Sequence, residues 1–375
     1  MASAAFAEPV NLLGLERAGL EALVQELGSK PFRGRQLMHW LYKRGEGRIA
    51  EMTDLAKDFR RQLVERAFVR PPEILSVHES GDGTRKWLLR ADAAQAFEMV
   101  FIPEADRGTL CISSQVGCAL DCSFCSTGQE GFNRNLTTAE IVGQVWLAKR
   151  ELGEGQHTGE PGERIVTNVV LMGMGEPLAN FRAVVPALRI FVDDFGFDLS
   201  RRRVTLSTSG LAPQIRKLAQ EVNVALAVSL HAPDDALRNE LVPINRKHPI
   251  AELLDACWHY IDEQNGRSVT FEYVMLAGVN DSPDQARALA AILKGHPAKV
   301  NLIPFNPFPG TQYRRSAPEV IESFRDVLLG RGIIATIRRT RGGDIDAACG
   351  QLAGRVIDRT TARLGAKQMA LAVQS

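Results

Sequence analysis

Residues Thr109 to Leu152 read "TLCISSQVGCALDCSFCSTGQEGFNRNLTTAEIVGQVWLAKREL". The apolar "TLCISSQ" predicts a strand, and "TAEIVGQVWLAKREL" predicts a helix. Between them lie Cys118, Cys122 and Cys125, spaced C-x3-C-x2-C. Strand, loop and helix in that order form one step of a parallel α/β fold, in which ligands bind at the C-terminal ends of the strands. A structural zinc takes four closed ligands and a fully ligated iron-sulfur cube takes four thiolates. Three thiols therefore leave a fourth ligand to be found, and a zinc site completed by His231 or a distant cysteine is one reading.

Outward from this loop the alternation continues. Strands are predicted at "NVVLMGM", "RRVTLSTS", "VALAVSLH", "SVTFEYVML", "KVNLIPFN" and "IIATIRR", with helices between them such as "APEVIESFRDVLLG". The fold class is α/β, a parallel sheet that is open or curled into a partial (β/α) barrel. The residues with chemistry follow the strands: Gly173 to Pro177, Ser207 to Gly210, Ser229 to His231, Asn306-Pro307 and Arg341 to Gly343. Such a sheet gathers them at one mouth.

Residues 1–75 read as a small helical accessory domain, expected to bind RNA, with Thr53 as the expected N-cap of "TDLAKDFRRQLVERA" and "RPP" ending the helical pattern. Residues 76–108 read as a β extension turning at "GDGT", 109–352 as the barrel and 353–375 as a C-terminal helix or tail. Between Lys30 and Arg70 there are eleven Lys or Arg against five Asp or Glu, with Phe32, Trp40 and Tyr42 interleaved. This segment fits a nucleic-acid surface, in which cations meet phosphates and aromatics stack on bases. It equally fits a solvated helix that points Leu37, Trp40 and Leu41 into a small core.

The 45% apolar and 24% charged fractions over 375 residues are those of an ordinary globular protein. A net charge of +1 selects no partner. The N-terminus lacks a basic n-region, and no segment approaches the roughly 18 apolar residues of a membrane span. A cytoplasmic protein without membrane contact is expected. In a reducing compartment six cysteines, clustered as these are, read as metal-binding or catalytic. Cys257 is the exception, sharing a helical face with Leu253, Leu254 and Ile261 as a core residue.

The cysteine loop together with "GMGEP" resembles the radical S-adenosylmethionine (SAM) superfamily. In that superfamily three thiolates hold a 4Fe-4S cluster and SAM itself ligates the fourth iron. "GCALDCSFCSTGQEGFNRNLTTAEIVGQVW", "NVVLMGMGEPLAN", "VTLSTSG", "SLHAPDD", "NLIPFNPFPGT" and "TRGGDIDAACGQL" resemble, more narrowly, the RlmN family. That family methylates carbon 2 of adenine in 23S rRNA and certain tRNAs. The Cfr family, which methylates carbon 8, has similar motifs and is the alternative. A non-catalytic RNA-binding protein with a structural metal is the reading from another class.

The resemblance implies a partial radical-SAM barrel, with Cys118, Cys122 and Cys125 on the cluster. It also implies chemistry suited to an electrophilic amidine carbon, which cannot itself displace a methyl group from SAM. Cys349 is implied to take the methyl first, with Arg339 and Arg341 close enough in sequence to favour its thiolate. Cys111 is implied to release the product through a disulfide with Cys349, and Glu98 to remove the C2 proton. Gly175, Glu176, Ser207, Ser229, Leu230, His231 and Asn306 match SAM contacts. The implied partners are 23S rRNA, tRNA and an electron donor such as flavodoxin, acting with a monomer.

Overall fold

The computed structural model describes residues 8–154, 164–266 and 268–359. Three helices, α1 (Arg17–Glu26), α2 (Phe32–Met38) and α3 (Lys57–Arg66), form the N-terminal region. They surround a core of Leu20, Leu23, Leu37, Leu41, Phe59 and Leu63. Thr53 does not cap α3, whose N-cap is Ala56 without a side-chain bond. The reason lies in residues 54 and 55. The Asp54 carboxylate accepts the Trp40 indole N–H and Leu55 is buried, so this stretch is anchored as a turn before the helix starts.

Ten strands make one sheet: β1 (Ile74–Glu79), β2 (Arg85–Arg90), β3 (Ala96–Glu104), β4 (Arg107–Cys111), β5 (Asn168–Leu171), β6 (Val204–Thr208), β7 (Ala225–Ser229), β8 (Val269–Met275), β9 (Ala298–Pro304) and β10 (Ile334–Ile337). Their spatial order is their sequence order. From β4 to β10 every neighbouring pair is parallel, as expected for strands joined by helical crossovers. The β extension is continuous with this sheet, because β1 to β4 pair antiparallel and β4 then begins the parallel part. Among the described residues the sheet stays open and does not close into a barrel. The register sets Glu98 opposite Leu88 and Val100 opposite Cys111.

Helix α4 (Thr138–Glu151) starts in a capping box of Thr137 and Glu140 and is buried from Ile141 to Ala148. Burial on both sides fits its place between the two regions. The Trp146 indole N–H donates to the Leu41 carbonyl at 2.9 Å, and Gln144 both accepts from the Ser113 N–H and donates to the Ser113 carbonyl. The helix therefore fixes the chain leaving β4 toward the cysteine loop. Residues 353–359 run extended, with Arg355 bridged to Ala96; the rest of the expected tail lies outside the described residues.

The basic N-terminal segment is spent largely on the protein itself. Trp40 and Tyr42 are buried, leaving Phe32 as the exposed ring of the three. Arg33 donates to Gln36 and to the Asp54 carbonyl, Arg35 pairs with Glu21, Lys43 with Asp198 and Arg48 with Glu46, while Arg44 lies over the Trp40 ring. The small-core reading therefore describes Leu37, Trp40 and Leu41, and a stacking role for Trp40 and Tyr42 is corrected by their burial. No helix among the described residues is long and apolar enough to cross a membrane.

Candidate active site

The chain beyond β4 forms a clasp in which Gln115–Gly117 pairs antiparallel with Phe132–Asn135 and the Cys118 N–H donates to the Gly131 carbonyl at 2.7 Å. Gly117 has φ +76°, and a Cβ there would lie 2.0 Å from that carbonyl oxygen. Only glycine closes this loop. Cys118, Cys122 and Cys125 then line one cavity with Gly175, Glu176, Ser207, Ser229, His231 and Cys349. Gly175, at φ +95°, brings its backbone against Gln115, whose side-chain oxygen accepts the Glu176 N–H. Leu230 and Asn306 do not line this cavity: Leu230 is buried behind it, and Asn306 faces an adjoining one while bonding Arg315.

Glu176 is buried, and its two oxygens accept the Leu178 and Ser209 N–H groups, so it braces the loop after β5 against the loop after β6. Burial raises its pKa. The His231 Nδ1 accepts the Val274 N–H at 3.0 Å, which places the proton of the neutral ring on Nε2. Burial pushes its pKa down to about 3. An Nε2–H is a donor and cannot complete a zinc site. Among the described residues no three His, Cys, Asp or Glu side chains converge on a single ion. Three thiols around a cavity suit a cube whose iron corners are separate.

The donor set fits a 4Fe-4S cluster on two further grounds. Burial pushes the Cys118 thiol up to about 12 and raises Cys122 and Cys125, so these sulfurs are protonated unless a metal takes the proton's place. Arg238 is buried close to Cys122 and bonds neutral acceptors only: the carbonyls of Leu230, Ser209 and Ser229 and the Asn245 amide oxygen. Its charge is shared between Asp235 and the Cys122 sulfur, so it favours an anionic group at Cys122. Burial lowers its pKa to about 10, well above neutrality. Nothing in the sequence singles out Arg238, which sits mid-helix in "DALRNEL". Arg238→Met should cost on the order of 3–5 kcal/mol in urea unfolding, because the buried Leu230 carbonyl and Asn245 and the part-buried Ser209 and Ser229 carbonyls lose their donor.

Cys111 and Cys349 both line the adjoining cavity, and both are free thiols. The cation beside them is Arg338, whose strongest charge interaction is with Cys349, followed by Glu272 and Cys111. This corrects the choice of Arg339 and Arg341. Arg338 continues the ladder of β10, its N–H donating to the Leu302 carbonyl, and so points into the barrel. Arg339 is exposed and Arg341 lies 3.7 Å from Asp82. Burial and the Cys349 sulfur push the Cys111 thiol up to about 12.

Glu98 is buried, with Oε1 at 3.0 Å from Lys86 Nζ and Oε2 accepting the Ala353 N–H, just beyond the Cys349 loop. Burial raises its pKa. It lines neither cavity; its neighbour in charge is Glu130, which accepts the Gly354 N–H and is pushed up to about 7 by burial. Glu130 carried no signal in the sequence. A carboxyl whose folded pKa is raised stabilises below its unfolded value and loses that contribution as pH rises through about 7. Glu130→Gln should therefore raise the thermal midpoint, relative to the unsubstituted protein, more at pH 8 than at pH 5. Cys257 is buried in the helix Ile250–Gln264, as its pattern predicted.

Comparison with known proteins adds the following. Residues 10–69 match the ribosomal RNA large subunit methyltransferase N-terminal domain, and residues 112–290 match the radical SAM superfamily. A radical SAM methyltransferase from Sphaerobacter thermophilus is similar over 92% of this chain and 99% of its own, at 45% identity and a TM-score of 0.84. Fainter likenesses reach a domain of pyruvate-formate lyase-activating enzyme from Bacteroides vulgatus (18% identity, 46% of this chain and 99% of that one, TM-score 0.36) and the FeFe-hydrogenase maturase HydG from Carboxydothermus hydrogenoformans (17%, 71% and 65%, 0.42).

Proposed function

The chain belongs to the radical SAM methyltransferases of the RlmN type, with a 4Fe-4S cluster and SAM as cofactors, and on that premise we propose that it methylates carbon 2 of adenine in 23S rRNA and tRNA through an S-methylcysteine at Cys349, using two SAM per turnover. The observation that carries this reading is the place of Cys349. It stands in a wall common to two cavities, one holding Cys118, Cys122 and Cys125 and the other Cys111. A residue that collects a methyl group on one side and delivers it on the other needs such a place.

Cys118, Cys122 and Cys125 would hold the cluster, while the Gly175-Glu176 segment, Ser207, Ser229 and His231 would hold SAM, with Leu230 and Asn306 supporting from behind and beside. When bound, the cluster supplies the electron that splits a second SAM and so activates the S-methyl group. Cys349 first accepts a methyl group by displacement, next to the Arg338 guanidinium that can balance a thiolate. Its activated methylene carbon then joins adenine C2, and Glu98 takes the C2 proton. Cys111 loses its thiol proton and attacks the Cys349 sulfur, so the Cys349 carbon-sulfur bond breaks as the Cys111–Cys349 disulfide forms; the freed carbon takes up a proton to become the methyl group, and the one electron left over would be taken back by the cluster that Cys118, Cys122 and Cys125 hold. Glu98 acts only after yielding the Ala353 N–H or Lys86, which ties its availability to the position of the Cys349 loop.

An electron donor such as flavodoxin, a monomeric state and a cytoplasmic location complete the reading. The test is mass spectrometry of nucleosides from RNA incubated anaerobically with enzyme, SAM and reductant. 2-Methyladenosine is the expected product; 8-methyladenosine, or no methylated adenosine with either RNA, overturns the assignment.

A further inference from the structure

Period-two alternation places Thr109 and Cys111 of β4, Thr205 of β6, Thr270 of β8, Asn301 of β9 and Thr336 of β10 along the interior of the curled sheet. In a closed (β/α) barrel this space is filled by branched apolar side chains. Here a cavity of about 600 Å³ remains, in which threonine and asparagine side chains stand among apolar walls, within the usual range for ligand sites of roughly 300–1,000 Å³. It shares the wall formed by Met172, Glu272, Ile303, Arg338 and Cys349 with the cluster cavity. The residues that open it, Thr205, Thr270 and Lys299, stand at the starts of their strands, opposite the cluster.

Its rim is basic. Arg107, Arg203, Arg339 and Arg341 face Glu104 and Asp106 around an adjoining depression. Arg107 pairs with Glu104 and Arg341 with Asp82, whereas Arg203, Arg339 and the neighbouring exposed Arg201 and Arg202 make no ion pair among the described residues. The contrast with the N-terminal segment is direct, since there Arg35, Lys43 and Arg48 are each paired. Unpaired arginines around a hollow of mixed polar and apolar walls suit phosphates flanking a base drawn out of its stack.

We propose that the substrate RNA approaches over this basic depression, with its phosphates on Arg203, just before β6, and Arg339, just after β10, and the target adenine inserted through the interior toward Cys111 and Cys349. SAM then occupies the opposite mouth, and Cys349 meets both without leaving its wall. This rests on the reading that the substrate is RNA.

The test is binding of the holoenzyme to a fluorescent RNA hairpin with an unpaired adenosine in its loop, measured across a salt titration. Arg203→Glu/Arg339→Glu should weaken binding at least tenfold near 0.1 M salt and flatten the slope of log Kd against log salt by about 0.7 for each lost phosphate contact. Arg203→Lys/Arg339→Lys should restore most of it, and Arg33→Glu/Arg35→Glu should change it less than threefold. Thr336→Trp, which obstructs the interior from an exposed edge-strand position, should weaken binding at least tenfold and keeps the test open if the Glu variant fails to fold. Wild-type affinity in both the Glu and Trp variants overturns this route while leaving the RNA reading intact. An unsubstituted holoenzyme with no affinity for the hairpin at any salt overturns the RNA reading and the route together.

Discussion

Cys111→Ala is expected to trap the enzyme on its RNA. The variant still loads a methyl group on Cys349 and still joins that carbon to adenine, but no thiol remains to attack the Cys349 sulfur. A covalent protein-RNA species should accumulate, seen as a nuclease-sensitive shift on a denaturing gel, with the link mapping to Cys349 by peptide mass spectrometry. Free methylated product should fall by at least a hundredfold. Cys349→Ala is expected to give neither S-methylcysteine nor adduct. The two variants separate because the cysteines stand in different positions: Cys111 lines the second cavity alone, whereas Cys349 lines both. Free turnover by the Cys111 variant, or a link at another residue, would sink this division of labour while leaving the fold and cofactors untouched.

Cys122→Ala is expected to remove the cluster and with it all reductive cleavage of SAM. Cys122 is one of the three clustered thiols of the cysteine loop on this cavity and the one whose charge interacts with buried Arg238. Its loss leaves two protein ligands and removes the Cys122 charge that faces Arg238. After anaerobic reconstitution, iron, labile sulfide and the visible absorbance should all fall to background, and 5'-deoxyadenosine should not form. Cys257→Ala is the control, since that thiol is buried in a helix away from the cavity. It should keep full iron content and cost about 1 kcal/mol in unfolding. A Cys122 variant with a full complement of iron would reopen the identity of the cluster ligands.

The seven parallel strands, their helices and the loop positions of the motif residues were legible in the sequence, because apolar runs of strand length between helical periods admit few arrangements. The cluster cysteines were legible for a similar reason: three thiols within eight residues on one loop have little freedom to part. Local pattern was less reliable at helix ends. Thr53 has the chemistry of a cap, yet the bond from Trp40 to Asp54 and the burial of Leu55 delay α3 to Lys57.

Charge was the property the sequence resolved least. Counting cations in a window marked Lys30 to Arg70, but pairing depends on which acids the fold brings near, and Glu21 and Asp198 come from other elements. The same holds for the cations that matter to the site. Arg238 and Arg338 lie in unremarkable local contexts and acquire their roles only when the strand ends converge, Arg238 on the carbonyls of two loops and Arg338 between Cys111 and Cys349. By itself the sequence determined the succession of strands and helices, the cofactor-bearing loop and the chemistry available, since these follow from residue type and spacing along the chain. Tertiary structure alone decided the order of the strands in the sheet, which cavity each cysteine faces, which charges are free and that the interior of the curled sheet is hollow, because those properties belong to pairs of residues distant in sequence and to the space between them.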